Sequence, residues 1–207
     1  MNLSGLYAVT PDVSDQTRLF DQIYDALHGG LAALQFRSKQ LSPWQMLDHA
    51  KALAALCRNR GVPFIVNDHV EIALAAGADG VHLGRDDGDV AAARSKLKGK
   101  LLGVSCYASL DAARAAVAAG ADYVAFGSVF ASPTKPLAVH APHALFGQAR
   151  SLGVPLVAIG GITLENASRL LQAGADALAV ISDLFDAADI AGRARAYGKL
   201  FQHDDAQ

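Results

Sequence analysis

One phrase occurs three times along the chain: Ala76-Gly77-Ala78-Asp79-Gly80-Val81, Ala119-Gly120-Ala121-Asp122-Tyr123-Val124 and Ala173-Gly174-Ala175-Asp176-Ala177-Leu178. Each copy follows an alanine- and leucine-rich stretch and precedes an apolar run. Glycine ends a helix in the left-handed conformation at little cost, and the Ala-Asp pair then turns the chain into a strand. A second phrase, Gly61-Val62-Pro63 and Gly153-Val154-Pro155, again closes a helix and opens a strand. Repeated helix-to-strand junctions mean repeated βα units.

Counting those units gives eight. The strands are expected at Leu6–Thr10, Ala32–Arg37, Phe64–Asn67, Gly80–Gly84, Leu101–Ser105, Tyr123–Phe130, Leu156–Gly160 and Ala177–Ser182. Helical patterns lie between them, roughly at 15–28, 42–60, 69–76, 88–95, 109–118, 140–151, 164–172 and 184–200. Ser42 before Pro43, Ser109, and Thr163 with Asn166 three residues on have the chemistry of helix caps. Most strands are continuous apolar runs, as parallel strands covered on both faces require. Eight such units in 207 residues fit a compact α/β protein, a (β/α)8 TIM barrel. A doubly wound open sheet is the alternative, but no Gly-x-Gly-x-x-Gly follows the first strand. Nothing divides the chain, so 1–207 reads as one domain with His203–Gln207 a loose tail.

Composition narrows the class of function. Hydrophobic residues make up 52% and charged residues 18%, enough for a sizeable core. A net charge of -2 gives no general pull toward nucleic acid or an anionic membrane, so any anion must be held by local clusters. Cys57 and Cys106 have no metal-ligand spacing and read as reduced thiols. Met1 runs almost directly into the first strand, and no apolar run approaches the roughly 20 residues of a membrane span. No signal peptide and a cytoplasmic location are therefore expected, and a homo-oligomer is left open.

In a barrel of this kind the active site forms where strands run into the following helices. The apolar run from Tyr123 breaks at Ala131-Ser132-Pro133 and offers hydroxyls at Ser132 and Thr134 and a cation at Lys135. That chemistry suits a phosphorylated ligand; a surface turn with a solvated lysine is the alternative. The second strand ends Gln35-Phe36-Arg37-Ser38-Lys39, and extended spacing puts Gln35, Arg37 and Lys39 on one side. Two cations and an amide there point to a di- or polyanion, or else to a salt-bridged strand end. The third strand ends Asn67-Asp68 and the fourth His82-Leu83-Gly84-Arg85-Asp86-Asp87. Carboxylates beside cations are explained by Mg²⁺ bridging Asp68, and Asp86 or Asp87, to phosphate oxygens. Asp86 and Asp87 as turn or N-cap residues remain the alternative.

Ser105 at the fifth strand end is a hydrogen-bonding contact. Gly160-Gly161 after the seventh strand and Ile181-Ser182 after the eighth form the usual barrel site for one phosphate. His82 reads as a hydrogen-bonded core residue, His140 and His143 as a solvated helix start, and Trp44 and Met46 as packing. No Ser-His-Asp arrangement and no lysine inside a strand are present, which disfavours covalent catalysis.

Taken in order, these residues resemble the thiamine phosphate synthase family over nearly the whole chain. The resemblance rests on Leu6-Tyr7-x-Val9-Thr10, Gln35-x-Arg37-x-Lys39, Asn67-Asp68, Gly80-Val81-His82-Leu83-Gly84-x-x-Asp87, Gly103-x-Ser105, Thr134-Lys135, Ala158-Ile159-Gly160-Gly161-Ile162 and Val180-Ile181-Ser182. It implies a transferase that joins hydroxymethylpyrimidine diphosphate to thiazole phosphate and releases pyrophosphate. It also implies that Gln35, Phe36, Arg37, Ser38, Lys39, Asn67, Ser105 and Lys135 hold the pyrimidine diphosphate. Ser132, Pro133, Thr134, Gly161, Ile181 and Ser182 would hold the thiazole phosphate, and Asp68 and Asp87 the cofactor Mg²⁺. Arg37, Lys39, Ser105 and Lys135 would be the catalytic contacts. Three positions depart from the family pattern: Arg85 stands for the usual glutamine, Ser132 for a threonine, and Pro136 where a second lysine is frequent. The rival readings are a thiazole tautomerase, a non-catalytic thiazole-phosphate-binding regulator, and a sugar-phosphate isomerase or epimerase of the same fold. Partners are then phosphorylated small molecules, with no nucleic acid and no membrane.

Overall fold

The computed structural model describes residues 3–13, 15–84, 87–131 and 140–202. Eight parallel strands close on themselves in sequence order: β1 (Gly5–Val9), β2 (Ala33–Phe36), β3 (Phe64–Asn67), β4 (Gly80–Leu83), β5 (Leu101–Tyr107), β6 (Tyr123–Gly127), β7 (Leu156–Ile159) and β8 (Ala177–Val180). The ring is completed by β1 against β8, with Gly5 opposite Ala177. The helices are α1 (Gln16–Gly29), α2 (Pro43–Arg58), α3 (Val70–Ala76), α4 (Val90–Lys96), α5 (Leu110–Ala118), α6 (Ala144–Ala149), α7 (Ala167–Ala173), α8 (Ser182–Phe185) and α9 (Ile190–Leu200). This is the TIM barrel expected from the repeat. None of the helices among the described residues is long and apolar enough to cross a membrane.

The strand pleat sorts the apolar runs into two layers. Leu6, Ala8, Leu34, Phe36, Val81, Leu83 and Phe126 face the helices, whereas Tyr7, Val9, Ala33, Ile65, Tyr123, Ala125 and Val157 fill the barrel interior. Alternate residues pointing to opposite faces produce this division without polar alternation, because both faces are dry.

The three repeated phrases close the N-terminal mouth. Gly77, Gly120 and Gly174 have φ of 69°, 100° and 107°, a region open to glycine but costly for most other residues. The aspartate that follows each of them clamps the preceding strand. Asp79 accepts from the Phe64 N–H at 2.8 Å, Asp122 from Leu102 at 2.7 Å and Asp176 from Leu156 at 2.8 Å. The N–H of each aspartate donates back to the carbonyl of the same strand residue. Ala32 has the matching place before β2: its N–H reaches Leu6 O at 2.8 Å, but it brings no carboxylate. Arg94 and Arg150 pair with Asp122 and Asp176, each at 2.8 Å.

Several boundaries differ from the sequence expectation. The single helix expected at 184–200 is two, α8 and α9, because Asp189 caps a new start by accepting from the Gly192 N–H. The seventh helix begins at Ala167 rather than 164: the Asn166 side chain accepts from the Thr163 N–H at 2.9 Å and holds the intervening residues as a turn. The sixth begins only at Ala144 and ends in a 3₁₀ turn, Arg150–Leu152. Ser42 forms a full capping box with Gln45, and Ser109 accepts from Ala112, both as expected. The proposed tail, His203–Gln207, lies outside the described residues.

Candidate active site

Strand β2 stops at Phe36, and the following turn is held by residues of the loop after β1. The Thr10 hydroxyl donates to Arg37 O at 3.0 Å and accepts from Arg37 N–H at 2.9 Å. Asp12 accepts from the Lys39 N–H at 3.1 Å. Arg37 and Lys39 therefore leave the barrel rim on an anchored turn rather than along an extended strand. The Ser38 hydroxyl accepts from the N–H groups of Gln40 and Leu41, both at 3.3 Å. The Phe36 side chain is buried in the helix-facing layer and packs on His49, while Gln35 points into the barrel.

Asp68 follows β3 with φ of 63°, and its N–H donates to His82 O at 2.8 Å. Holding an aspartate in the left-handed region is a sparsely populated choice that aims a side chain deliberately. Asp87, after β4, accepts from the Gly84 N–H at 2.9 Å. Partial burial, then the hydrogen bond to Asp87 and the charge it carries, push the Asp68 carboxyl up to about 7; Arg37 and Lys39 pull the other way. These four side chains, read separately from three strand ends, thus act on one another in one place.

A half-buried carboxyl whose proton affinity is raised by burial and by a second carboxylate beside it forms, with that neighbour, a donor set for a hard dication. Mg²⁺ is characteristically bound by one or two carboxylates plus phosphate oxygens and water, so Asp68 and Asp87 fit it. Among the described residues no group of three or more His, Cys, Asp or Glu side chains could hold a metal.

Behind this rim a row of polar side chains crosses the barrel interior. Gln35 Nε2 donates to the Tyr7 hydroxyl at 2.9 Å, which lies 2.7 Å from the Tyr123 hydroxyl. Tyr123 in turn lies 3.1 Å from His82 Nδ1, and His82 Nε2 lies 2.8 Å from Ser105 Oγ. Burial pushes His82 down to about 4 against the opposing charge of Asp87, and pushes Tyr7 up to about 12. Tyr123 is raised well above its ordinary range by burial and by Tyr7. The row is neutral throughout the physiological range. Ser105 does have a histidine partner, but an imidazole that holds a proton so weakly is a poor general base, and a neutral tyrosine stands where a triad has a carboxylate.

The opposite side of the mouth is backbone. Phe130 N–H donates to Gly160 O at 3.0 Å, and a Cβ on Gly161 would strike the Phe130–Ala131 backbone. Gly160 and Gly161 have φ of 106° and 65°, and Asn166 Nδ2 fixes the pair through Gly161 O at 3.0 Å. Ile181 packs on the interior layer and Ser182 is exposed at the start of α8. His143 stands at the start of α6, half-buried and edge-on against Phe130, while His140 is exposed and precedes the helix. Ser132, Pro133, Thr134 and Lys135, together with Arg85 and Asp86, lie outside the described residues. Cys57 and Cys106 are free and buried.

Asp12 and Tyr123 are given no role by the sequence, and Tyr7 and Thr10 enter there only as part of the first-strand motif, with no site role. Thr10 left a trace, a hydroxyl closing an apolar strand; the tyrosines did not, since an aromatic in a strand reads first as packing.

A family model described as thiamine monophosphate synthase matches residues 6–184. The chain is 58% identical over 201 residues to the thiamine-phosphate synthase of Aromatoleum aromaticum, covering 96% of this chain and 97% of that protein. It is 56% identical over 200 residues to that of Chromobacterium violaceum, covering 96% and 97%. Among solved structures it is similar to thiamine phosphate pyrophosphorylase from Pyrococcus furiosus, with TM-score 0.87, 34% identity and coverage of 97% and 96%. A structure described as native KDPGal, at 17% identity and TM-score 0.71, shares the fold.

Proposed function

The chain belongs to the thiamine-phosphate synthase family, and from that premise we propose how its residues carry the reaction. The reaction condenses 4-amino-2-methyl-5-(diphosphooxymethyl)pyrimidine with 4-methyl-5-(2-phosphooxyethyl)thiazole to thiamine phosphate and pyrophosphate. The observation that carries the assignment is the gathering of Arg37 and Lys39 with the mutually repelling carboxyls of Asp68 and Asp87. A diphosphate supplies the negative charge the two cations lack, and its metal relieves the two aspartates.

Asp68 and Asp87 would hold Mg²⁺, which neutralises charge on the diphosphate oxygens. Arg37 and Lys39, with Lys135, take up the charge that grows on the leaving pyrophosphate as the methylene C–O bond breaks. The bonding pair departs with pyrophosphate, and the electron-rich aminopyrimidine ring stabilises the methylene cation. The thiazole nitrogen lone pair then forms the new C–N bond. No protein nucleophile is needed, in keeping with the weakly basic His82 beside Ser105. Electrostatic stabilisation of this kind is worth about 3–4 kcal/mol per well-placed group. Gln35, Asn67 and Ser105 hold the pyrimidine, Phe36 and Ser38 contribute backbone beside it, and Gly161, Ile181 and Ser182 with residues 132–134 hold the thiazole phosphate. A cytoplasmic enzyme working on phosphorylated small molecules is the setting this implies.

The decisive assay is pyrophosphate release with each substrate alone and with both, in the presence of Mg²⁺. Release only with both, accompanied by thiamine phosphate, is the expected result. No release with both would overturn the assignment and favour a thiazole tautomerase or a binding role.

A further inference from the structure

We propose that Gln35, Tyr7, Tyr123, His82 and Ser105 form one directional hydrogen-bond chain, whose polarity is set by the Gln35 amide on β2 and fixes Ser105 on β5 as a donor toward the substrate. The identity of that substrate rests on the reaction proposed above; the polarity of the chain does not.

The direction follows from counting protons. Gln35 gives an N–H to the Tyr7 oxygen, which leaves the Tyr7 hydroxyl proton to be placed, and the Tyr123 oxygen lies 2.7 Å away. If Tyr7 donates to Tyr123, Tyr123 donates to His82 Nδ1. A neutral imidazole then carries its proton on Nε2 and donates to Ser105 Oγ, 2.8 Å away. Ser105 has accepted within the chain, and its own proton is left for the mouth of the barrel. In the reverse direction Ser105 donates to Nε2, His82 donates to Tyr123, and Tyr123 donates to Tyr7. The Tyr7 oxygen would then face two donors, with its own proton left over in a residue 1% exposed. With Gln35 Nε2 toward Tyr7, the forward chain gives each proton shared between neighbours in the row an acceptor, and the reverse one leaves the Tyr7 hydroxyl without one.

The consequence reaches across the barrel. Strands β2 and β5 are separated by β3 and β4, yet the amide orientation of one dictates the hydrogen-bonding role of the other. Gln35 turns its nitrogen inward, so the amide oxygen is the end available to a ligand as acceptor. Ser105 is correspondingly the donor. A ring that presents an N–H donor at one edge and a lone-pair nitrogen at another matches this pair, and an aminopyrimidine has both. Tyr7, Tyr123 and His82 are positioning residues for that recognition. Gly103 makes room for the chain, since a Cβ there would fall inside the Tyr123 ring.

The test is the tautomer of His82 in the intact protein, read from the ¹⁵N shifts of histidine-labelled protein and assigned by the signal lost in His82→Gln. The wild type should carry the proton on Nε2. Gln35→Glu, measured at about pH 8 where a carboxylate is ordinarily ionised, replaces the donor by an acceptor and should move the proton to Nδ1. Tyr123→Phe should abolish that response. A wild-type Nδ1–H tautomer, or a Gln35→Glu variant with His82 unchanged, overturns the chain. In turnover, Tyr123→Phe should lower kcat for pyrophosphate release about tenfold with KM for the thiazole phosphate unchanged, and unaltered kcat also overturns it. Failure of the wild type to release pyrophosphate would remove the reaction while leaving the tautomer result standing. Normal release with the wrong tautomer would remove the chain alone.

Discussion

The two mouths of the barrel use aspartate in opposite ways. At the N-terminal mouth Asp79, Asp122 and Asp176 each accept from a strand N–H, and two of them also face an arginine. At the C-terminal mouth Asp68 and Asp87 face each other, and burial, with the Asp87 carboxyl beside it, pushes Asp68 up to about 7. Carboxylates with their partners supplied by the fold hold the ring together. Carboxylates that crowd one another at the strand ends are the ones proposed above to take their partners from a ligand. The contrast is a general one in this architecture, where residues at the bottom of the strands serve stability and those at the top serve function.

The sharpest way to break the contrast is at the top. Lys39→Ala or Asp68→Asn should lower turnover by about two orders of magnitude or more, the usual effect of losing one group that stabilises transition-state charge. Neither should lower the thermal midpoint, because neither side chain supports the barrel. Wild-type turnover in either variant would dissociate the cluster from catalysis.

At the bottom the effects should be reversed. Asp122→Ala strands the Leu102 N–H, and Asp176→Ala strands that of Leu156. A buried donor left without its acceptor costs about 1–3 kcal/mol, and each kcal/mol is about 2–4 °C in a chain of this size. Denaturation midpoints should fall accordingly while kcat holds. Loss of kcat with an unchanged midpoint would overturn the division of labour between the mouths.

Those predictions depend on features that were unequally visible in the sequence. The barrel itself was legible because Ala-Gly-Ala-Asp states a helix end, a turn and a strand start in adjacent residues. The cluster of Arg37, Lys39, Asp68 and Asp87 was legible because polar residues ending apolar runs stand out. The strand spacing that put Gln35, Arg37 and Lys39 on one side failed beyond Phe36, however. Thr10 and Asp12 capture the backbone of Arg37 and Lys39 and bend it, a contact 27 residues away in sequence. Still less visible was the pairing of Tyr7 with Tyr123, 116 residues apart, since only closure of the ring brings their hydroxyls together. The eighth unit was misread as a single helix because the capping role of Asp189 looks, in sequence, like an acidic residue on a helix face.

A subtler difference between the mouths lies in their response to pH. The folded Asp68 binds its proton more tightly than the unfolded residue, whose ordinary value is 3.8. Its contribution to stability is therefore fully present below about 4 and is lost as pH rises through about 7. The metal-free protein should lose stability across that window on account of Asp68. Asp68→Asn, or saturating Mg²⁺, should flatten the slope, and a chelator should restore it. Denaturant midpoints taken across the window check this. A slope identical with and without Mg²⁺ would show that the two carboxylates do not share the ion.

The smallest expected effect concerns the one junction of the N-terminal mouth that lacks its carboxylate. Ala32 stands before β2 where Asp79, Asp122 and Asp176 stand before β4, β6 and β8, and its N–H makes the same backbone bond, to Leu6 O. Ala32→Asp should let the new carboxylate accept from the Leu6 N–H, by the register the other three share. Gly5 is the neighbour that decides the outcome, since a Cβ there would lie 3.0 Å from that of Ala32. The bare glycine leaves a way for the longer side chain to turn toward β1. A gain of about 1 kcal/mol, or 2–4 °C, is the expected size for one net hydrogen bond. Unchanged turnover with a raised midpoint would extend the rule to all four junctions. A lowered midpoint would show instead that close Gly5–Ala32 packing substitutes for the clamp at the seam where β1 meets β2.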